Sequence, residues 1–174
     1  MKRVTYKGLT FEPYIERDRI SARIKELAAQ MSDDFKDDIP LLICVLNGAF
    51  PFAADLFRDL DIDAEITFIR LKSYEGTSTS GKVKEIAGLT EDISGRRVIV
   101  VEDIIDTGNT MAKLVKDLEA RNPKSISLAS LLYKPESVRK DIKPDYVGFT
   151  IPSAFIIGFG LDLDGLGRNL RDIW

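Results

Sequence analysis

The sequence predicts an α/β fold, in which a mainly parallel, twisted sheet is flanked by helices within a single domain of residues 1–174. Short apolar runs typical of buried strands alternate along the chain with segments that have the spacing of amphipathic helices. One run, residues 98–101, is continuous and mostly β-branched, as in strands that are covered on both faces. A chain of 174 residues that is 44% hydrophobic can also bury one substantial core.

The elements of the first half follow from apolar periodicity. Residues 17–35 predict an amphipathic helix, because apolar side chains recur there at helical spacing between charged residues. The buried face predicted for this helix comprises Ile20, Ile24, Leu27, Ala28 and Met31. Residues 41–46 predict a buried strand, residues 51–60 a helix with Pro51 in its first turn, and residues 64–71 the next strand.

The second half begins with a segment that predicts a mobile loop. Residues 73–84 are polar, contain Gly76 and Gly81, and lack periodicity. The strand at residues 98–101 then leads into a helix. The apolar face predicted for that helix comprises Met111, Leu114, Val115 and Leu118. The remaining apolar runs predict strands at residues 126–132, 146–149 and 155–159.

Composition argues against several classes of function. A net charge of −3 is unlike a protein whose main partner is nucleic acid, which would favour a basic face. The chain has no His, so acid–base chemistry falls to Asp, Glu, Lys or Tyr. Cys44 lies in an apolar run and is predicted to be a core residue. Without a signal-like start or a membrane-length apolar run, we expect a cytoplasmic protein with no membrane partner.

The most informative motif is residues 98–110, where the predicted strand runs into three acids and then into Thr-Gly-Asn-Thr. In open α/β sheets, ligands lie beyond the carboxyl ends of the strands, where a helix N-terminus presents unpaired N–H groups to a phosphate. Thr107 and Thr110 can add hydroxyl donors, and Gly108 lets the backbone approach an anion. The alternative is an ordinary joint, in which Asp106 or Thr107 merely caps the helix.

The two acids Glu102 and Asp103 indicate more than a phosphate site. Carboxylates repel phosphate, but they accept hydrogen bonds from sugar hydroxyls and bind hard divalent cations. A phosphate-binding helix N-terminus beside an acid pair therefore predicts a site for a phosphorylated ribose.

The motif resembles the phosphoribosyl pyrophosphate motif of the type I phosphoribosyltransferases. It is most similar to that of the hypoxanthine-guanine phosphoribosyltransferases, in which two acids are followed by two aliphatic residues and Asp-Thr-Gly. The resemblance extends from about residue 41 onward, in the same order. It implies a Mg²⁺-dependent transferase that moves 5-phosphoribosyl from phosphoribosyl pyrophosphate to N9 of hypoxanthine or guanine, giving IMP or GMP and pyrophosphate. It also implies a homodimer or homotetramer.

The resemblance assigns roles around the central motif. Asp106 is the implied general base at the purine N7, and residues 107–110 bind the 5-phosphate through Thr107, Gly108, Asn109 and Thr110. Glu102 and Asp103 hold the ribose hydroxyls, directly or through magnesium. The implied metal ligands are Glu102, Asp103 and Asp162.

At the pyrophosphate end, the resemblance implies a loop formed by Leu46, Asn47 and Gly48. Asn47 stands where a basic residue is frequent in the family, and Ala154 stands where some relatives have Lys. Arg168 and Asp162 match residues that contact pyrophosphate or its magnesium. Ser73 and Tyr74 match the root of a mobile lid near residues 73–84.

At the base, the resemblance implies a small hood formed by the N-terminal and C-terminal segments. Lys134 would donate to the purine 6-oxo group, Phe155 would stack on the base, and the backbone near Ile156 would pair with it. The alternatives are that Lys134 is simply solvated and that Phe155 is a core aromatic residue.

Two other functions stay open on the same fold. One is a phosphoribosyltransferase with another specificity, such as xanthine. Lys134 and Phe155 discriminate against adenine and pyrimidine versions. The other is a non-catalytic, nucleotide-sensing RNA-binding regulator, which would need a basic face and could dispense with Asp106.

Overall fold

The centre of the molecule is a six-stranded sheet. The computed structural model describes residues 3–72 and 85–174, so Ser73, Tyr74 and the predicted lid lie outside the described residues. The strands are β3 (Leu41–Leu46), β4 (Glu65–Lys72), β5 (Glu85–Ala87), β6 (Arg97–Ile105), β7 (Ser125–Tyr133) and β8 (Tyr146–Thr150). They lie in the order β5-β4-β3-β6-β7-β8, and all neighbours are parallel except β5 with β4.

Helices cover both faces of this sheet, as the sequence predicts for its class. Helices α1 (Arg17–Asp34) and α2 (Phe50–Asp59) pack on one face, and α3 (Asn109–Glu119) packs on the other. The five apolar residues predicted for the face of α1 are all fully buried. Strand β3 contributes Leu42 and Cys44 to one core and Leu41 and Ile43 to the other, so it is covered on both sides. None of the described helices is long and apolar enough to cross a membrane.

The strand order creates a crevice between β3 and β6. From β3 the chain passes through α2 to β4 on one side, and it later returns through β5 to β6 on the other side. Strand order therefore reverses at β3 and β6, which is where ligands bind in open α/β sheets. The loops that follow these two strands face each other across this point.

The structure adds an N-terminal hairpin that periodicity did not predict. Strands β1 (Val4–Tyr6) and β2 (Leu9–Phe11) pair antiparallel around Lys7 and Gly8, whose φ angles are 49° and 79°. Two consecutive positive φ values match the tight hairpin turns that follow strand twist. Phe11 packs with Ile157 and Trp174 in a small third core.

The strand predicted at residues 155–159 is wrong. The segment joins no ladder and instead hydrogen-bonds irregularly with the end of the chain: Ile157 and Trp174 exchange N–H···O bonds of 3.0 and 2.8 Å. The φ angles of Gly158 and Gly160 are 99° and 100°, which extended strands do not adopt. Apolar composition could not reveal this turn, because Ile156, Ile157 and Phe159 are buried in it as they would be in a strand.

Candidate active site

The acid pair lies inside β6 near its carboxyl end, not after it. Glu102 is only 9% exposed, and its Oε1 accepts the N–H of Asp103 at 3.0 Å. Oδ1 of Asp103 accepts the N–H of Ile104 at 2.8 Å. Burial raises the pKa of the Asp103 carboxyl, although its hydrogen bonds and the charge of Arg168 act in the opposite direction. The site therefore holds carboxylate groups that gain from a cation or a hydrogen-bond donor.

The loop after β3 closes directly on this acid pair. A Cβ added at Gly48 would collide with Oδ2 of Asp103, and one added at Gly160 would collide with the carbonyl oxygen of Gly48. The peptide bond between Leu46 and Asn47 is cis. Three distant stretches of sequence thus meet closely, because the Gly48 backbone lies against the Asp103 side chain and the Gly160 backbone against that of Gly48. Neither glycine leaves room for a Cβ unless a neighbour shifts.

The single cysteine lies behind the acids and is not a nucleophile. Cys44 is fully buried in β3, as predicted. Burial raises its pKa to about 12, and the negative charges of Glu102 and Asp103 act in the same direction. The reactive thiolate form is therefore disfavoured.

The loop after β6 forms the N-terminus of α3. Gly108, with a φ of 76°, is the N-cap residue, so neither Asp106 nor Thr107 occupies the N-cap position. Thr107 Oγ1 accepts a long hydrogen bond of 3.5 Å from the Asn109 N–H. The first turn of α3 thus receives no side-chain cap from the N-cap residue.

Asp106 and Lys134 form an ion pair at the mouth of the crevice. Lys134 Nζ donates to Asp106 Oδ2 at 3.2 Å, and the Lys134 N–H donates to the carbonyl oxygen of Ile105 at 3.0 Å. Lys134 is only 7% exposed, so the interpretation of a solvated surface Lys is wrong. The side chain of Asp106 is 47% exposed and accessible to a ligand.

The segment that follows β8 carries an exposed aromatic ring. Phe155 is 61% exposed, so the interpretation of a core aromatic residue is wrong. Its ring centroid lies 6.1 Å from that of Phe11 in β2, with the rings tilted by 41°. Ile156, the next residue, is buried.

Asp162 and Arg168 form a second ion pair, behind the loop after β3. Arg168 Nη2 lies 2.7 Å from Asp162 Oδ1, and Arg168 Nη1 donates to the carbonyl oxygen of Gly160 at 2.6 Å. Asp162 Oδ2 accepts the Gly165 N–H at 2.6 Å. Among the described residues, no three acidic, His or Cys side chains come together to hold a metal.

Sequence analysis missed two residues at the site. Arg70 in β4 donates from Nη2 to Asn47 Oδ1 at 3.0 Å, and Phe11 lies against Phe155. Arg70 pairs with Leu46 in the parallel register, which could be anticipated only once the neighbour of β3 was known. The hairpin that carries Phe11 gives too short a pattern to detect.

The fold and the site define a class of transferase, and the comparisons with known proteins agree. Residues 15–164 match the phosphoribosyl transferase domain model, so the chain belongs to the phosphoribosyltransferase family. It is 43% identical over 157 residues to the hypoxanthine-guanine phosphoribosyltransferase of Bacillus subtilis (strain 168), covering 90% of this chain and 87% of the relative. It is 42% identical over 164 residues to the hypoxanthine phosphoribosyltransferase of Salmonella typhimurium, covering 92% of both.

A solved structure gives the same result. The hypoxanthine-guanine phosphoribosyltransferase hpt-2 of Bacillus anthracis superposes with a TM-score of 0.84 at 40% identity, covering 94% of this chain and 95% of that one. The predicted fold class, the predicted family and the predicted purine-salvage phosphoribosyltransferase activity are confirmed. No finding favours the xanthine enzyme or the RNA-binding regulator.

Proposed function

We propose that Asp106 is the general base of phosphoribosyl transfer in the crevice between β3 and β6. The observation that carries this proposal is its ion pair with Lys134, beside the N-terminus of α3. Asp106 can accept a proton there while Lys134 donates a hydrogen bond to the substrate. The chain contains no His that could serve instead.

The chemistry follows from the bond that breaks. The anomeric carbon loses pyrophosphate as it bonds to N9 of the base, so positive charge develops on the ribose as in glycoside chemistry. Glu102 and Asp103 accept hydrogen bonds from the ribose hydroxyls and offset that charge. Asp106 accepts the N7 proton, which becomes more acidic as N9 bonds to the anomeric carbon and the purine gains positive charge. The loop of Thr107, Gly108, Asn109 and Thr110 holds the 5-phosphate.

Base recognition uses the other half of the crevice. The ammonium of Lys134 has donors only, so it can satisfy a 6-oxo group but not a 6-amino group. Phe155 provides an exposed face for stacking, backed by Phe11, and the backbone at Ile156 pairs with the base. We propose that β1, β2 and the segment that carries Ile157 and Trp174, which share one small core, form the base-binding hood.

Magnesium suits the acid pair. Glu102 and Asp103 supply hard oxygen donors, and burial of the Asp103 carboxyl favours a neutralising cation. Since magnesium prefers carboxylates combined with phosphate oxygens, we assign Glu102, Asp103 and Asp162 to it, directly or through water and substrate. The ion would offset charge on the leaving pyrophosphate.

Leu46, Asn47, Gly48 and Arg168 surround the place proposed for pyrophosphate. Backbone N–H groups of the loop after β3 and the Arg168 fork suit phosphate oxygens. Ser73 and Tyr74 stay predictions for the same substrate, as does the lid near residues 73–84. A cytoplasmic location also stays a prediction.

The substitution Asp106→Asn tests the proposal, because Asn keeps an acceptor for Lys134 but is not a base. We expect kcat to fall by about 10²-fold or more, while phosphoribosyl pyrophosphate binds nearly as before. Steady-state kinetics and calorimetric binding measure the two effects separately. A variant with near-normal kcat would show that Asp106 is not the base.

We also propose a homodimer or homotetramer. Phe50 at the start of α2 and Phe68 in β4 are 48% and 47% exposed, and aromatic residues are enriched in interfaces between chains. Light scattering coupled to gel filtration should give a mass of two or four chains. A Phe68→Glu variant should dissociate, and a monomeric wild type would contradict the proposal.

A further inference from the structure

We propose that Arg70 supplies the cation that binds the leaving pyrophosphate, and that Asn47 positions it. This inference rests on the proposed function of the crevice. It arises from one contact: Arg70 Nη2 donates to Asn47 Oδ1 at 3.0 Å, across the gap between β4 and the loop after β3. Arg70 and Asn47 are both exposed.

The charges around this loop leave a need for a cation. Asp103 places a buried carboxylate against the loop after β3, and Glu102 is its neighbour in β6. Arg168 does not offset this excess by itself, because its guanidinium is already engaged by Asp162 and by the carbonyl oxygen of Gly160. The loop itself contains no cationic side chain.

Arg70 meets this need better than any other cation described near the loop. Within the described parts of the chain, no carboxylate forms an ion pair with its guanidinium, whose partner is the neutral amide of Asn47. A guanidinium has five N–H donors, so the Asn47 contact leaves a free edge that matches two phosphate oxygens. The amide oxygen holds the group toward the loop without cancelling its charge.

The geometry of the sheet fixes this arrangement. Arg70 lies opposite Leu46 in the parallel pairing of β3 with β4, one residue before Asn47 in the loop. A Cβ added at Gly48, the next residue, would collide with Oδ2 of Asp103. The guanidinium therefore belongs to the edge of the crevice where pyrophosphate leaves, and not to the base or the 5-phosphate.

Arg70→Gln tests this role directly. We expect the KM for phosphoribosyl pyrophosphate and the inhibition constant of pyrophosphate to rise about tenfold or more, because a charged hydrogen bond to phosphate is lost. The KM for hypoxanthine and the melting temperature should stay near their wild-type values. The matched control is Arg121→Gln, which removes an exposed guanidinium after α3 at the opposite end of the strands.

Asn47→Ala tests the positioning. We expect a loss of about threefold in pyrophosphate affinity in the wild-type background and no further loss in the Arg70→Gln background. Equal losses in both backgrounds would show that Asn47 does not act through Arg70.

Wild-type pyrophosphate affinity in Arg70→Gln would overturn the proposal, and so would an equal rise in the KM for hypoxanthine. Both results presuppose that the wild type binds phosphoribosyl pyrophosphate and pyrophosphate with magnesium. A wild type that binds neither would instead contradict the proposed function.

Discussion

Lys134 is buried together with its charge, and a buried ammonium requires a partner. Asp106 provides that partner at 3.2 Å, at the place where the 6-oxo group and N7 of a purine are proposed to bind. A bound purine must therefore replace, or share, the contact between Lys134 and Asp106. A purine with a 6-oxo group accepts a hydrogen bond from Lys134 and so replaces the contact with Asp106. A 6-amino group cannot accept that bond and leaves the ammonium unpaired.

Lys134→Gln should lower kcat/KM for hypoxanthine by about 10- to 100-fold, since a charged hydrogen bond in a desolvated site is lost. Lys124→Gln is the control, because Lys124 forms an exposed pair with Asp38 outside the crevice and should change kinetics little. Steady-state kinetics on both variants measure the difference. Unchanged oxopurine kinetics in Lys134→Gln would remove Lys134 from base recognition.

The raised pKa of Asp103 predicts a pH dependence for substrate binding. Between the ordinary Asp value and the raised value, the free protein holds a proton on Asp103 that the unfolded chain has lost. Stability therefore falls as pH rises through this window. Magnesium and ribose hydroxyls favour the ionised carboxylate, so affinity for magnesium phosphoribosyl pyrophosphate should fall as pH drops through the same window.

Calorimetric titrations at several pH values measure this effect. The Asp103→Asn variant should bind magnesium phosphoribosyl pyrophosphate more weakly at all pH values, and its affinity should no longer fall at acidic pH. A wild-type affinity that does not change with pH would contradict the role assigned to Asp103. In parallel, magnesium should bind firmly only when phosphoribosyl pyrophosphate is present, and full turnover in excess chelator would rule magnesium out.

At the scale of elements, the close approach of the loop after β3 to strand β6 depends on the lack of a side chain at Gly48. A methyl group at Gly48 has no room because Oδ2 of Asp103 occupies the space. Gly48→Ala should therefore displace the loop or the acid and lower kcat/KM for phosphoribosyl pyrophosphate by about 10²-fold, the scale expected for a misplaced catalytic group.

The control for Gly48→Ala is Gly95→Ala, where an added Cβ meets nothing within 4 Å. Gly95 has a φ of 70°, so that control should lose some stability but keep its kinetics. Thermal melts and kinetics on both variants separate folding from function. Normal kinetics in Gly48→Ala would show that the loop adapts freely.

Regular elements could be predicted because one physical pattern specifies them. The faces of α1 and α3 and the strands β3, β4 and β7 follow from apolar spacing, within one or two residues. Residues 155–159 could not be predicted, since their fold depends on positive φ angles and on hydrogen bonds to Leu170 and Trp174. Arg70 was missed for a related reason: its partner Asn47 is 23 residues away, in the loop after the neighbouring strand.

At the scale of the whole molecule, strand order brings the site together. The loops after β3 and β6 are neighbours only because the chain reverses its direction of sheet growth between them. The third core then unites β2 with the segment around Ile157 and Trp174, where the rings of Phe155 and Phe11 lie together. Both ends of the described chain thus pack together in one core, which we propose as the base-binding hood.

Phe155→Ala should weaken all purines together, because stacking area is lost without any change in the polar contacts that rank them. We expect a similar, smaller effect for Phe11→Ala, which removes the ring behind Phe155. The KM values for hypoxanthine and guanine in each variant measure this. A change in the order of preference would show that Phe155 contributes to selection as well as affinity.

The central claim is that the crevice transfers phosphoribosyl to a 6-oxopurine that Lys134 selects. The most direct measurement is kcat/KM of the wild-type protein for hypoxanthine, guanine, xanthine and adenine, with phosphoribosyl pyrophosphate and magnesium. We expect hypoxanthine to be converted to its nucleotide and adenine to be rejected by about 10⁴-fold, since adenine leaves a desolvated ammonium unpaired. Adenine turnover comparable to that of hypoxanthine would contradict the account.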